Sequence, residues 1–274
     1  MWTSVNDYKQ FANTFYSWTR DFSSVVYDGT HSDKRSDLIT YQSYNEFSRG
    51  INSIPSSDAN YTDNYKHIRR TNLLLQNAEA YAKPEDIKQY IGEAYFFRAY
   101  SYFDLLQLYG DVIITKKPLD ITDPEMKVKR NDRSEVVDLI IDDLNHAVEN
   151  LPAFKELTTE EEGRISKEGA QAFLSRVALY EGTWQKSRNG NQNTQRSANL
   201  LDIAAKAART VIDAKYGYTF RLFGTDSETK ILGDSAQKYM FILENEKSNP
   251  AGIKKSSNHE YIFARRHDQV LASI

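Results

Sequence analysis

"PEDIKQYIGEAYFFRAYSYFDLLQLYGD", Pro84 to Asp111, reads as one long helix too apolar and aromatic to stand alone. Pro84 suits the first helical position, Glu85 and Asp86 favour the positive end of the macrodipole, and Gly110 can adopt the positive φ that stops the helix. Ile87, Ile91, Ala94, Tyr95, Arg98, Tyr102, Leu105, Leu106 and Tyr109 recur at three- and four-residue steps. Tyr90, Phe96, Phe97, Tyr100 and Phe103 fill a second face. A helix apolar on two faces needs neighbours on two sides, which is the situation of a helix inside a stacked helical array.

Working outward, the helical pattern repeats on both sides. Val5 to about Arg20 places Tyr8, Phe11, Ala12, Phe15 and Trp18 on one face. Residues 28 to 60 lose periodicity and collect Ser, Asp, Asn and Gly, which predicts a long loop around at most a short helix near Tyr44 to Phe47. Thr62 or Asp63 is the expected cap of a helix carrying Tyr65, Ile68, Asn72, Leu75 and Ala78. Residues 111 to 133 form a crossing segment, after which Ser134 is the expected cap of a helix ended by Pro152. Ser166 caps "SKEGAQAFLSRVALYEGTW", and the alanine-rich "LLDIAAKAARTVIDAK" follows as its antiparallel partner. Large residues facing small ones on these two helices resemble the tetratricopeptide repeat, without a clean period of about 34 residues. From Gly217 on, "YTFRLFG", "KYMFIL" and "EYIFARR" read as irregular structure with short strands or helical turns.

Composition narrows the function. The chain has 274 residues, 35 Lys plus Arg against 38 Asp plus Glu, and a net charge of −3. It has no basic surplus to draw it to nucleic acid. With no cysteine there is no disulfide, thiol catalysis, cysteine-ligated metal or lipid-bearing cysteine in the sequence. No apolar run approaches the roughly 18 residues of a membrane span, and "MWTSVNDYKQF" lacks the basic-then-apolar order of a signal peptide. The unusual feature is 18 Tyr and 13 Phe in a hydrophilic chain, since amphipathic rings serve helix cores and sugar-binding surfaces alike.

Five segments in order resemble the SusD/RagB family: "YKHIRRTNLLL" (Tyr65 to Leu75), "EAYFFRAYSYFDLLQLYGDV" (Glu93 to Val112), "KRNDRSEVVDLIIDDLNHAVENLP" (Lys129 to Pro152), "GRISKEGAQAFLSRVALYEGTW" (Gly163 to Trp184) and "NHEYIFARR" (Asn258 to Arg266). Ile113 stands where the family usually has proline. The resemblance implies a mainly all-α protein of stacked antiparallel helix pairs resembling tetratricopeptide repeats, with long irregular loops. Residues 1–216 would be the helical domain and 217–274 the start of an irregular C-terminal region. The family comprises surface lipoproteins of Bacteroidetes that capture glycans beside outer-membrane transporters. By that likeness the chain is expected to be a fragment, beginning after the lipid-attachment cysteine and ending before the family's C-terminal half.

The implied function is non-catalytic capture of oligosaccharide or polysaccharide at the cell outer membrane for a SusC-like TonB-dependent transporter. Membrane association would come only through a lipid anchor absent from this sequence. No cofactor or metal is expected, because His31, His67, His146, His259 and His267 lack ligand spacing and no catalytic motif stands in context. In the family part of the sugar surface comes from the loop before the "YxxIRxxN" helix, which points to Asn60, Tyr61 and Asn64, with Tyr44 upstream. A ring takes the C–H face of a pyranose while amides bond its hydroxyls; the alternative is that Tyr61 only packs on the helix start. Arg98 is read as structural, Glu93 and Asp104 as too far apart along one helix for a catalytic pair, and Asp142 with Asp143 as a solvated face. The second functional class is a helical-repeat interaction module that docks on the transporter without itself binding glycan.

Overall fold

The computed structural model describes residues 2–19, 46–188, 194–243 and 245–264. Its helices are α1 (Val5–Asn13), α2 (Glu46–Arg49), α3 (Ala59–Glu79), α4 (Lys88–Tyr109), α5 (Arg133–Asn150), α6 (Lys167–Arg188), α7 (Thr194–Ile212) and α8 (Ala236–Met240). Short 3-10 turns at Thr14–Trp18 and Pro84–Ile87 continue α1 and lead into α4. Among the described residues there is no strand, only one isolated antiparallel bridge between Val112 and Asn131. The short strands allowed for beyond Gly217 are therefore not seen in the described part of that region, where 3-10 turns and α8 stand instead.

Two helices start earlier than their sequences suggest, for a local reason. Asp58, not Thr62 or Asp63, caps α3: its carboxylate accepts the Asn60 amide at 2.9 Å. Asp132, not Ser134, caps α5 in a capping box with Glu135, whose carboxylate accepts the Asp132 amide at 3.0 Å. Ser166 does cap α6, accepting the Gly169 amide at 3.2 Å. Gly110 ends α4 at φ +72°, its N–H bonded to the Leu106 carbonyl at 3.1 Å.

Consecutive helices from α3 to α7 pack as antiparallel neighbours, and side-chain pairs show the register. Tyr61 meets Tyr109 while Asn72 meets Arg98 across α3 and α4. Arg98 meets Asp143, and a Cβ on Gly92 would lie 2.9 Å from Leu151, across α4 and α5. Arg133 meets Glu181 across α5 and α6, and just past α5 the Phe154 amide bonds Glu168; Ser197 bonds the Gly182 carbonyl and Ser175 the Ala204 carbonyl across α6 and α7. As one number rises in each pair, the other falls. α4 lies at the centre, with Phe97, Tyr102, Leu105 and Leu106 fully buried among Tyr8, Phe15, Leu74, Ile140 and Leu144. Its two apolar faces have the two-sided cover that their sequence calls for.

Of the four carboxylates buried in the stack, three are met by an arginine from another segment, and the fourth, Glu168, accepts the Phe154 amide at 2.8 Å. Arg98 grips Asp143 with two bonds, 2.8 and 2.6 Å, and donates a third to Asn72 at 2.8 Å. Arg164 places Nη1 at 2.7 and 2.8 Å from the two Glu93 oxygens. Arg133 binds Glu181 at 2.8 Å and lies 4.3 Å over the Trp184 ring. A planar guanidinium is suited to such forked contacts, and its pairing offsets part of the desolvation, although burial still raises the Glu93 and Asp143 carboxyls above their ordinary value.

Candidate functional site

α3 begins at an aromatic corner. Residues 51–57 before it are all exposed, and Asp58 then turns the chain into the helix. The Tyr61 ring is half-buried, 4.8 Å from Tyr65 and tilted, and 5.2 Å from Tyr109 and perpendicular to it. Tyr65 donates its hydroxyl to the Ile113 carbonyl at 2.8 Å, and Tyr109 donates to Asp58 at 2.7 Å. Three tyrosines from two helices and one cap carboxylate are thus tied together.

This geometry sets the electrostatics. The Tyr109 hydrogen bond holds the Asp58 carboxyl below its ordinary value. Burial, then that same bond to an anion, raises the Tyr109 phenol. Burial likewise raises Tyr65. All three groups therefore keep one protonation state around neutrality, an anionic acceptor beside neutral phenols, and the corner presents fixed hydrogen-bonding groups beside ring surface.

The residues singled out from the sequence fall in different places. Asn60 is exposed, and its side-chain amide donates to Asp58 at 3.0 Å. Tyr61 lies one residue on, packed as described. Asn64 is buried, with its amide donating to the Asn60 carbonyl at 2.8 Å, so it braces the first turn from inside. Tyr44 lies outside the described residues. The structure adds Asp58 and Tyr109. Asp58 was missed because Thr62 or Asp63 was read as the cap, and the place of Tyr109 needed the antiparallel register of α3 and α4.

The other charged candidates resolve as structural. Arg98 is buried, and although burial opposes its charge, the Asp143 hydrogen bonds outweigh it and raise the guanidinium further. Asp143 does not lie on the solvated face read for the acidic pair. It turns into the core, and only Asp142 is exposed. The i and i+1 positions of a helix point about 100° apart, which splits such a pair between core and solvent. Glu93 is held by Arg164. Asn72 completes the network by donating to the Thr115 and Lys117 carbonyls at 3.0 and 3.2 Å, so that the crossing segment is tied to three helices.

The described histidines lie beside rings: His67 is stacked 4.1 Å from Trp18, His146 is stacked 4.9 Å from Tyr95, and His259 is 2.7 Å from the Tyr218 hydroxyl. His31 and His267 lie outside the described residues. Among the described residues no group of three or more His, Cys, Asp or Glu is placed to hold a metal ion. No helix among them is long and apolar enough to cross a membrane.

Residues 5–179 match the SusD-like family described as "Starch-binding associating with outer membrane". A SusD-like protein of Formosa agariphila is 33% identical over 133 residues, 47% of this chain and 25% of that protein. A second from the same organism is 26% identical over 202 residues, 72% of this chain and 38% of that protein. Among solved structures, a SusD-like protein of Bacteroides fragilis superposes with a TM-score of 0.68 at 22% identity, covering 98% of this chain and 46% of that one. A structure described as a laminarin binding SusD-like protein superposes with a TM-score of 0.51 at 26% identity, covering 70% of this chain and 39% of that one. The matched part is less than half the length of each of these relatives.

Proposed function

The chain belongs to the SusD-like family, and from that premise we propose that it is a non-catalytic, glycan-binding part of an outer-membrane polysaccharide uptake system. In this reading it captures oligosaccharide at the cell surface and passes it to a SusC-like TonB-dependent transporter. The observation that carries the glycan assignment is the corner of Tyr61, Tyr65 and Tyr109 around Asp58 at the exposed start of α3. A sugar ring laid against Tyr61 meets apolar ring surface, and its hydroxyls meet the Asn60 amide and the Asp58 carboxylate. Such pairing of a C–H face with an aromatic face and a polar rim is what a neutral pyranose requires. Relatives described as starch-binding and laminarin binding make neutral glucans the first ligands to test.

The second reading, docking on the transporter without glycan binding, calls for exposed apolar side chains on helix faces. On α3 to α7 the large exposed apolar side chains are Leu179 and Ile212; the rest lie in the 51–54 and 121–128 loops or beyond residue 217. That distribution favours the glycan reading.

The test is calorimetric titration of laminarin and starch oligosaccharides into the chain with and without Tyr61→Ala. We expect a loss of about 1–2 kcal/mol of affinity, the scale of an aromatic contact beyond simple burial, together with a modest drop in melting from the lost Tyr65 and Tyr109 ring contacts, so both proteins are titrated well below their melting temperatures. Equal affinities in the two proteins would remove this corner from the binding site.

A further inference from the structure

We propose that the groove between α5 and α7 is a docking site for an extended peptide segment bearing a lysine or arginine, supplied by a partner protein. The groove is open and encloses about 630 Å³. It exists because α6 holds α7 close along one side, with Leu201 so near Gly182 that a Cβ there would meet it at 3.0 Å. α5 packs elsewhere on α6. Arg196 reaches from α7 to Asp138 at 2.8 Å and to the Ser134 carbonyl at 3.0 Å, which ties α7 to the first turns of α5.

Three features set the class of occupant. Ile141, Leu200 and Ile203 give an apolar strip. Amides face it from both walls, Asn145 on α5 and Gln195 with Asn199 on α7. The Gln195 amide donates to the Asn199 oxygen at 2.8 Å, and the Asn145 side chain makes no hydrogen bond to another described residue. A side-chain amide offers donor and acceptor together, matching the alternating N–H and C=O of an extended backbone, while alternate peptide side chains settle on the apolar strip. No aromatic residue lines the groove, although the chain carries 18 Tyr and 13 Phe. That lack separates it from the Tyr61 corner and argues for peptide over sugar, whose faces seek aromatic rings.

Charge specifies the peptide. Asp138 is matched by Arg196. Asp142 stands 3.6 Å from the His146 ring and pairs with no lysine or arginine among the described residues. The groove therefore carries one carboxylate with no lysine or arginine partner, on its rim, where a basic side chain of the occupant would be drawn.

Fluorescence anisotropy on the full chain tests this with a labelled, end-capped peptide of alternating lysine and valine, a glutamate–valine counterpart, and maltohexaose as competitor. The lysine peptide should bind and the glutamate peptide should not. Asp142→Asn should weaken binding roughly two- to fivefold, the scale of one exposed ion pair, and reduce its salt dependence. Asn199→Ala, also at an exposed position, should weaken binding as well, while Tyr61→Ala leaves it unchanged, so the outcome is independent of the glycan assignment. Equal binding of both peptides, or undiminished binding in Asp142→Asn and Asn199→Ala, overturns the proposal. Displacement of the peptide by maltohexaose overturns it too, and gives the groove to carbohydrate.

Discussion

The stack of α3 to α7 and the segment from residue 217 to 264 contain comparable kinds of side chain but organise them differently. In the stack, large rings and aliphatic residues share one continuous core, and the buried carboxylates Glu93, Asp143 and Glu181 are each met by an arginine from another segment. The later segment has a small satellite cluster of Leu232, Ala236, Leu243 and Ile253. Its polar bonds are mostly short-range, such as Asp226 to the Thr229 amide at 2.8 Å and Asn249 to the Ile253 carbonyl at 2.7 Å. Phe241 and Ile231 are 70% and 75% exposed. Periodicity explains the contrast: a helix repeats its apolar residues on one stripe and can bury them together, whereas irregular chain buries them singly.

The largest effect should come from breaking a cross-element pair. Arg98→Met strands Asp143 in the core, and we expect about 3–5 kcal/mol of lost stability in denaturant unfolding. A cost below 1 kcal/mol would mean that the stack does not depend on that network. Next, Leu243→Ala should cost about 2–3 kcal/mol, toward the lower end for a buried leucine, and only locally. Hydrogen exchange would then quicken in residues 222–258 while α4 keeps its protection; equal loosening of α4 would show that the two regions unfold as one.

A smaller effect concerns pH. Burial against Trp18 pushes the His67 pKa down to about 4, so the folded state holds the ring neutral. The unfolded chain takes up that proton first, near the ordinary value of about 6.5. Stability is therefore expected to fall as pH drops from about 6.5 toward 4, and His67→Gln should flatten that part of a melting profile. An unchanged profile would place the acid sensitivity elsewhere. The smallest effect is at the exposed end: Phe241→Ser should shift stability by no more than about 0.5 kcal/mol. It should nonetheless reduce any self-association in sedimentation, because it removes an apolar ring from the surface.

The order and kind of elements were legible because amphipathic periodicity, prolines and capping residues are local signals. Pro84 to Asp111 called for a helix with two covered faces, and α4 over Lys88–Tyr109 is that helix, with Pro84–Ile87 forming a 3-10 turn before it and not its first turn. The five ordered motifs likewise carry the resemblance to the family in the sequence itself. Cap positions slipped by two to five residues, from Thr62 or Asp63 to Asp58 and from Ser134 to Asp132, because several cap-competent residues cluster there and only the hydrogen bond chooses among them. Tertiary structure alone decided the rest. Asn64 looks like a ligand residue in sequence but braces the helix from within, and Asp143 differs from Asp142 only by the turn of a helix. Tyr109 joins Tyr61 from 48 residues away through the antiparallel register. Sequence determined which faces must be buried, because burial follows periodicity. Which residues meet across those faces depends on register and approach distance, which no single segment encodes.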